Sequence, residues 1–349
     1  MNSIFRSFHR YIGLVIAIPF MLCCASGTLL LFKQNWLEWQ YPQLASANTD
    51  EVLVVQQAQQ LKSISRQISS AELSYARVAD ERQAYALAVD VLGRHWLFDR
   101  DGQLVVRFET SHPWVWLPKL HANWMLGKPG KQINGILSIL VLLLLLSALL
   151  LCWQKFEWRH LRRWLSKEER PLHRSYFRHI GPGWWAFPGL LLLCITAVLL
   201  IYRSPILDAL ESPSVAQAIV SDAPAQTGTG WQQRWPQVAK LMEQDQPTLI
   251  RSVDAAQGIW AIRGRAPNSW HPHGRQMYQF QWNNHGELIA ASKRQATIGD
   301  RLIGAGFALH AGQVARPWML YALLFSGLAV LASLAYSLQL AWRRRTIDA

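Results

Sequence analysis

The sequence predicts an integral membrane α-helical protein, with four transmembrane helices arranged as a tandem repeat and two α+β domains outside the membrane. Three observations carry the prediction. Four long apolar windows contain no charged residue, the basic residues crowd into the short segments flanking them, and the chain matches itself twice without a gap.

The apolar windows are Tyr11 to Phe32, Ile133 to Trp153, Gly183 to Tyr202 and Trp318 to Leu340, each of 20 to 23 residues without Asp, Glu, Lys or Arg. A helix of that length rises about 30–35 Å, roughly one hydrocarbon core. A buried helix of a soluble protein would show a polar face. The first window also exceeds the roughly 7–15 residues of a signal-peptide core. Cys23 and Cys24 lack the small preceding residues of a lipoprotein cleavage site.

Charge sets the expected topology. Residues 1–10, 154–182 and 341–349 carry a net +9 over 48 residues, whereas 33–132 and 203–317 carry only +4 over 215. The positive-inside rule puts the three short segments in the cytoplasm and the two long ones outside. The net charge of +13 is therefore mostly a topology signal, with anionic lipid contact as a side effect, and not a nucleic-acid footprint. A charged fraction of 16% with 18 Trp excludes a disordered chain. All four Cys fall in the spans, which excludes disulfides within the outer segments.

The expected organisation follows. Residues 1–32 are the cytoplasmic N-terminus and first span, 33–132 the first outer domain, 133–153 the second span and 154–182 a basic cytoplasmic loop. Residues 183–202 are the third span, 203–317 the second outer domain, and 318–349 the fourth span and cytoplasmic C-terminus. In the first outer segment, 51–62 read as a helix, 85–91 and 95–99 as strands, and Arg100-Asp101-Gly102 as a turn into a strand over 103–108. The second repeats that order: a helix over 233–244, strands over 259–263 and 276–282, a turn at 283–286 and a returning strand over 287–291. Residues 211–230, rich in Pro, Ser, Ala, Gly and Thr, read as a linker.

Sliding the first span onto the third by 170 residues places His9 on His179, Gly13 on Gly183, Cys24 on Cys194 and Ser26 on Thr196. Sliding the second onto the fourth by 189 places Leu120-His121-Ala122 on Leu309-His310-Ala311. Four histidines thus mark the repeat at membrane boundaries. A pseudo-twofold axis along the membrane normal brings them into two facing pairs. Two imidazoles across a gap between helices suit bis-histidine haem, so two b-type haems are expected. His9 and His179 would hold the inner haem, and His121 and His310 the outer one. Gly13, Gly135 and Gly183 would admit a flat macrocycle, and Arg10 with Lys119 or Lys128 would offset propionate charge. His173 rivals His179, because Leu172-His173-Arg174 matches the surroundings of His9 better. Zinc wants about four ligands, which the spans lack beside the histidines. A proton relay would show intramembrane carboxylates, and there are none.

With Phe8-His9-Arg10-Tyr11-Ile12-Gly13, Gly27-Thr28, Leu120-His121 and Leu309-His310 in place, the chain resembles the PepSY-associated transmembrane family, which includes iron-regulated membrane proteins and siderophore reductases. The helix-then-hairpin outer segments resemble PepSY domains. The resemblance implies a bacterial inner-membrane protein that reduces ferric iron or ferric siderophores in the periplasm. His9, His121 and His310 match the family's histidines; the third-helix histidine departs from the usual His-Arg-x-x-Gly context. No phosphate-binding loop, dinucleotide fingerprint or nucleophile elbow is present, so electrons would come from a quinol or a cytoplasmic reductase, and no residue is assigned as catalytic. Two rival readings are a haem-free interaction or regulatory protein with peptide-binding outer domains, and a siderophore or iron transporter. His271-Pro272-His273 with His285 reads as a surface loop or a metal site. Ser111-His112-Pro113-Trp114-Val115-Trp116 and Trp270 read as interfacial aromatics or a lip beside a substrate.

Overall fold

The computed structural model describes residues 2–45, 53–80, 83–153, 171–210, 217–219, 230–315 and 317–348. In chain order its helices are α1 (Asn2–Leu30), α2 (Lys33–Gln40), α3 (Leu53–Gln67), α4 (Pro113–Asn123), α5 (Lys128–Trp153), α6 (Pro171–Ile201), α7 (Arg203–Leu210), α8 (Trp231–Leu241), α9 (Ile298–His310) and α10 (Trp318–Asp348). The chain divides into two units. A helical unit takes residues 1–32, 117–203 and 306–349, and a sheet unit takes 33–116 and 204–305.

The helical unit is a membrane bundle. α1, α5, α6 and α10 each contain a stretch long and apolar enough to span a bilayer. α1 and α6 each pack against both α5 and α10, which closes a four-helix ring with α1 and α6 on one diagonal. Val15, Ile18 and Leu22 of α1 are 74%, 62% and 51% exposed, the reverse of a soluble helix and the pattern of a lipid-facing one. Small residues let the helices approach. A Cβ on Gly189 would collide with Ser326 Oγ, and one on Gly327 with Thr28 Oγ1. α6 begins at Pro171 and runs on through Gly181-Pro182-Gly183. The third span is therefore the later part of a 31-residue helix, not a helix starting at Gly183. Its backbone hydrogen bonds outweigh the local breaker signal, because a bilayer leaves freed backbone groups no water.

The sheet unit corrects the expectation of two separate outer domains. Its strands are β1 (Leu73–Arg77), β2 (Ala86–Asp90), β3 (His95–Phe98), β4 (Leu104–Phe108), β5 (Gln217–Ala218), β6 (Gln246–Asp254), β7 (Ile259–Arg265), β8 (Gln276–Trp282) and β9 (Leu288–Arg294). They form one antiparallel sheet in the order β4-β3-β2-β1-β6-β7-β8-β9-β5. The two halves meet at β1 and β6, where Ala76 opposes Ile250 and Arg77 opposes Leu249. Strands left unpaired at that edge would expose a row of backbone donors and acceptors, and mutual pairing satisfies them. β5 lies within the expected linker, most of which falls outside the described residues, as do 154–170 of the basic loop.

α3 and α8 cross-link the halves over the sheet. Gln57, fully buried, donates from Nε2 to the Ala79 carbonyl at 2.7 Å and accepts from Trp235 Nε1 at 2.9 Å. Trp235, Trp282, Tyr278 and Phe280 of the second half share one core with Leu61, Ile64 and Phe98 of the first. The halves cannot be parted without exposing this core. Cα atoms of directly opposed antiparallel residues lie about 4.5–5.5 Å apart, within disulfide range. An Ala76→Cys, Ile250→Cys double variant is therefore expected to crosslink on mild oxidation, read as a linked pair of peptides after digestion. Failure to crosslink would mean that the two segments fold apart.

Candidate functional site

Two pairs of histidines meet inside the helical unit. His9 on α1 and His179 on α6 have ring centres 6.3 Å apart at an interplanar angle of 60°. His121, at the end of α4, and His310, at the end of α9, are 6.1 Å apart at 45°. His179 faces His9; the His173 side chain lies outside the described residues. The pairing joins the residues that the two ungapped offsets make equivalent.

Local structure sets each ring. After α4 the chain reverses through Trp124 and Met125, both at positive φ, before α5 begins. Buried Asn134 of α5 clamps that reversal, donating to the His121 carbonyl at 2.5 Å and accepting from Trp124 Nε1 at 2.6 Å. The His121 ring then lies on Gly27 of α1, where a Cβ would come within 2.8 Å of Cε1. Only a glycine admits the ring there. Gly13 and Gly183 border the His9–His179 site, whereas Gly135 packs against Tyr202 and belongs to a helix contact.

Every one of the four rings spends Nδ1 on a neighbouring helix. His9 Nδ1 meets Ser147 Oγ at 2.9 Å, and that hydroxyl already donates to the Leu144 carbonyl at 2.8 Å. His310 Nδ1 meets Thr196 Oγ1 at 2.9 Å, and that hydroxyl donates to the Leu192 carbonyl at 2.7 Å. A hydroxyl whose proton is committed can only accept, so Nδ1 carries the hydrogen in both. His179 Nδ1 donates to the Ser333 carbonyl at 3.0 Å and His121 Nδ1 to the Cys23 carbonyl at 3.1 Å. Ser26 Oγ stands 3.3 Å from His121 Nδ1, and Ser26 and Thr196 are repeat equivalents. All four imidazoles are therefore held as the tautomer whose Nε2 carries a lone pair. Among the described residues no hydrogen bond occupies that nitrogen. Burial pulls the pKa of His121 and His310 down, that of His310 to about 4 with His121 beside it, so both are neutral near pH 7.

A metal-binding imidazole characteristically donates its other ring N–H to a carbonyl or similar acceptor, which fixes its tautomer and orientation. With metal–nitrogen bonds of about 2 Å and a ring nitrogen about 1 Å from its ring centre, a linear N–metal–N bridge puts the centres about 6 Å apart. Both pairs have that spacing. Two imidazoles supply two ligands, and among the described residues no cluster of three or more His, Cys, Asp or Glu could hold a bare ion. The arrangement suits a metal that brings its remaining ligands with it, as an iron porphyrin does. The His9–His179 pair borders a mostly apolar cavity of about 330 Å³ in the bundle, lined also by Arg10, Phe20, Trp184 and Phe187. Arg10 also lies over the Tyr11 ring at 5.7 Å.

The remaining sequence expectations separate cleanly. His271 Nδ1 accepts the His273 N–H at 3.0 Å, and His273 Nδ1 accepts from Arg77 at 3.5 Å. These rings thus have the opposite tautomer from the four above. Burial first, then Arg77, His271, Arg263 and Arg265, pushes the His273 pKa far down, so that ring is neutral. His112 stacks on Phe108 at 3.9 Å, and Trp114 packs on Trp36 at 5.0 Å. That aromatic run is core packing. The hydroxyls of Ser147 and Ser333 escaped the sequence reading, because they do not align at the 189-residue offset.

A family model described as the PepSY-associated TM region matches residues 6–345. No curated protein matches the chain.

Gly27→Ala should force the His121 ring aside at a cost of about 1–3 kcal/mol. Gly13→Ala, whose new Cβ would have its nearest neighbour at 3.9 Å, should be neutral. Thermal unfolding of the two purified variants in one detergent checks this, and equal losses would count against the packing argument.

Proposed function

The chain belongs to the PepSY-associated TM-region family, and from that premise we propose that it is a haem-bearing inner-membrane reductase, passing single electrons outward to ferric iron or a ferric siderophore in the periplasm. The observation that carries the reading is the set of four Nδ1 hydrogen bonds, which leaves a lone pair on Nε2 of each ring in two histidine pairs whose ring centres are 6.3 and 6.1 Å apart. His9 and His179 would hold one haem towards the cytoplasmic face, and His121 and His310 a second towards the periplasm. Bound there, haem supplies reversible one-electron chemistry at a potential set by its axial ligands and their surroundings.

The chain's own residues do the rest. The acceptors on Nδ1 make each imidazole a stronger donor at Nε2 and hold its plane. The apolar bundle excludes water, and its spans contain no acidic or basic side chain to bind protons or ions in passing. Arg10, beside the inner pair, offers a guanidinium to a propionate. The electron donor is a quinol or a cytoplasmic reductase, and each electron it gives up converts one Fe(III) to Fe(II). Hard oxygen chelators hold Fe(II) less tightly, and the metal is released.

Absorption spectra of the detergent-purified protein, oxidised and then dithionite-reduced, should show two low-spin b-type haems per chain. His121→Ala and His310→Ala should each lose the same haem, His9→Ala and His179→Ala the other, and His173→Ala neither. A haem-free protein after expression with haem supplied would overturn the reading in favour of a haem-free interaction protein.

Thr196→Val removes the acceptor from His310 Nδ1. A weaker donor at Nε2 favours Fe(II), so one midpoint potential should rise, and retention of that haem should weaken about 10–100-fold. Redox titration checks the sign, and an unchanged potential would remove Thr196 from the role.

A further inference from the structure

α4, which carries His121, contains a proline that leaves one of its carbonyls without a helical donor. Pro118 has no N–H, so it cannot bond the Trp114 carbonyl four residues back. A helix interrupted in this way kinks or loosens unless another donor steps in. Lys33 Nζ, at the start of α2, does so, donating to the Trp114 carbonyl at 2.9 Å. Trp36, one turn further along α2, packs on the Trp114 ring at 5.0 Å. α2 thus holds the first turn of α4 by backbone and by side chain.

That turn is fixed from its other side as well. His112 caps the helix: its Nδ1 accepts the Trp114 N–H at 3.3 Å, and Pro113 takes the first helical position, where no N–H is needed. The His112 ring stacks on Phe108 of β4 at 3.9 Å. His121 lies three residues beyond Pro118, less than one turn away. The direction in which its ring points is therefore set by the stretch that the proline weakens.

The second half of the chain supplies the comparison. At the 189-residue offset Pro118 falls on Phe307 of α9, which keeps its N–H. At the 170-residue offset Lys33 falls on Arg203. Arg203 is exposed, whereas Lys33 is partly buried. A cation turned onto the helix accompanies the missing donor, and a cation in the open accompanies the helix that has all of its donors.

We propose that Lys33 is a positioning residue for His121: it splints α4 at Pro118, and through α4 it holds the His121–His310 pair without bearing on the His9–His179 pair. The inference rests on the reductase reading for its spectroscopic consequence, while the splint itself needs only α4.

The test uses the full-length protein purified in one detergent. Hydrogen exchange is read by mass spectrometry, and each haem by its spectrum and midpoint potential. Lys33→Met removes the donor and keeps the length. It should speed exchange over residues 117–123 about tenfold, and weaken by about the same factor the retention of the haem that His121→Ala removes. The potential of that haem should shift while the other keeps its value. Lys33→Arg, which keeps a donor, should stay close to wild type. Pro118→Ala restores an N–H for the Trp114 carbonyl, so adding it to Lys33→Met should return both readouts to wild type. No change in Lys33→Met, equal loss of both haems, or a double variant no better than Lys33→Met alone would overturn the proposal. The double variant also decides the case where Lys33→Met fails to fold. A wild-type protein without haem would remove the reductase reading, and rescue of exchange by Pro118→Ala would then decide the splint by itself.

Discussion

Four imidazole N–H groups lie in a bundle where water cannot satisfy them, and each finds an acceptor on another helix. An unpaired buried donor costs about 1–3 kcal/mol, so these bonds are constraints and not ornaments. They tie α1 to α5 through His9 and Ser147, α6 to α10 through His179 and Ser333, α4 to α1 through His121 and Cys23, and α9 to α6 through His310 and Thr196. The same bonds that lock the helices decide which nitrogen of each ring is left to bind. Fold and chemistry thus share one set of contacts.

The small residues follow from this. Gly27 exists as glycine because the His121 ring fills the space that a side chain would take. Ser26, one residue earlier, returns its proton to the Leu22 and Cys23 carbonyls, which leaves its oxygen to accept. Thr196 does the same with Leu192 and Leu193. A short hydroxyl side chain in a membrane helix can bond back to its own turn and still offer a lone pair sideways. That capacity explains a Ser–Thr equivalence between otherwise apolar helices.

Much of this was legible in the sequence. Spans are read from uncharged length alone, and the ungapped offsets pair the same histidines that meet in the structure. His179 against His173 is not decidable locally, since the neighbours of His173 look more like those of His9; what the structure adds is that His179 meets His9. β1 and β6 were missed for a physical reason. Leu73-Ser-Tyr-Ala-Arg77 lacks clean alternation, and Gln246-Pro247 opens β6 with a residue that argues against a central strand. Their stability comes from each other and from the shared core, a long-range fact that no short window records. The glutamine-rich start of α3 hides its role similarly. Gln57 and Gln60 look like surface residues, yet both are fully buried and bond the backbone just beyond β1 and β3.

The β1–β6 seam also constrains the order of events during synthesis. Arg77 must wait for Leu249, about 170 residues later, and two membrane helices are made in between. At about 5–20 residues per second, the first half stands for roughly 10–35 s with an open strand and half a core. Such an edge invites pairing with whatever strand is at hand, a neighbouring nascent copy included. The half-made chain is therefore the state most exposed to error, and a substitution that slows insertion of α5 or α6 would lengthen that exposure without touching a single contact of the finished protein.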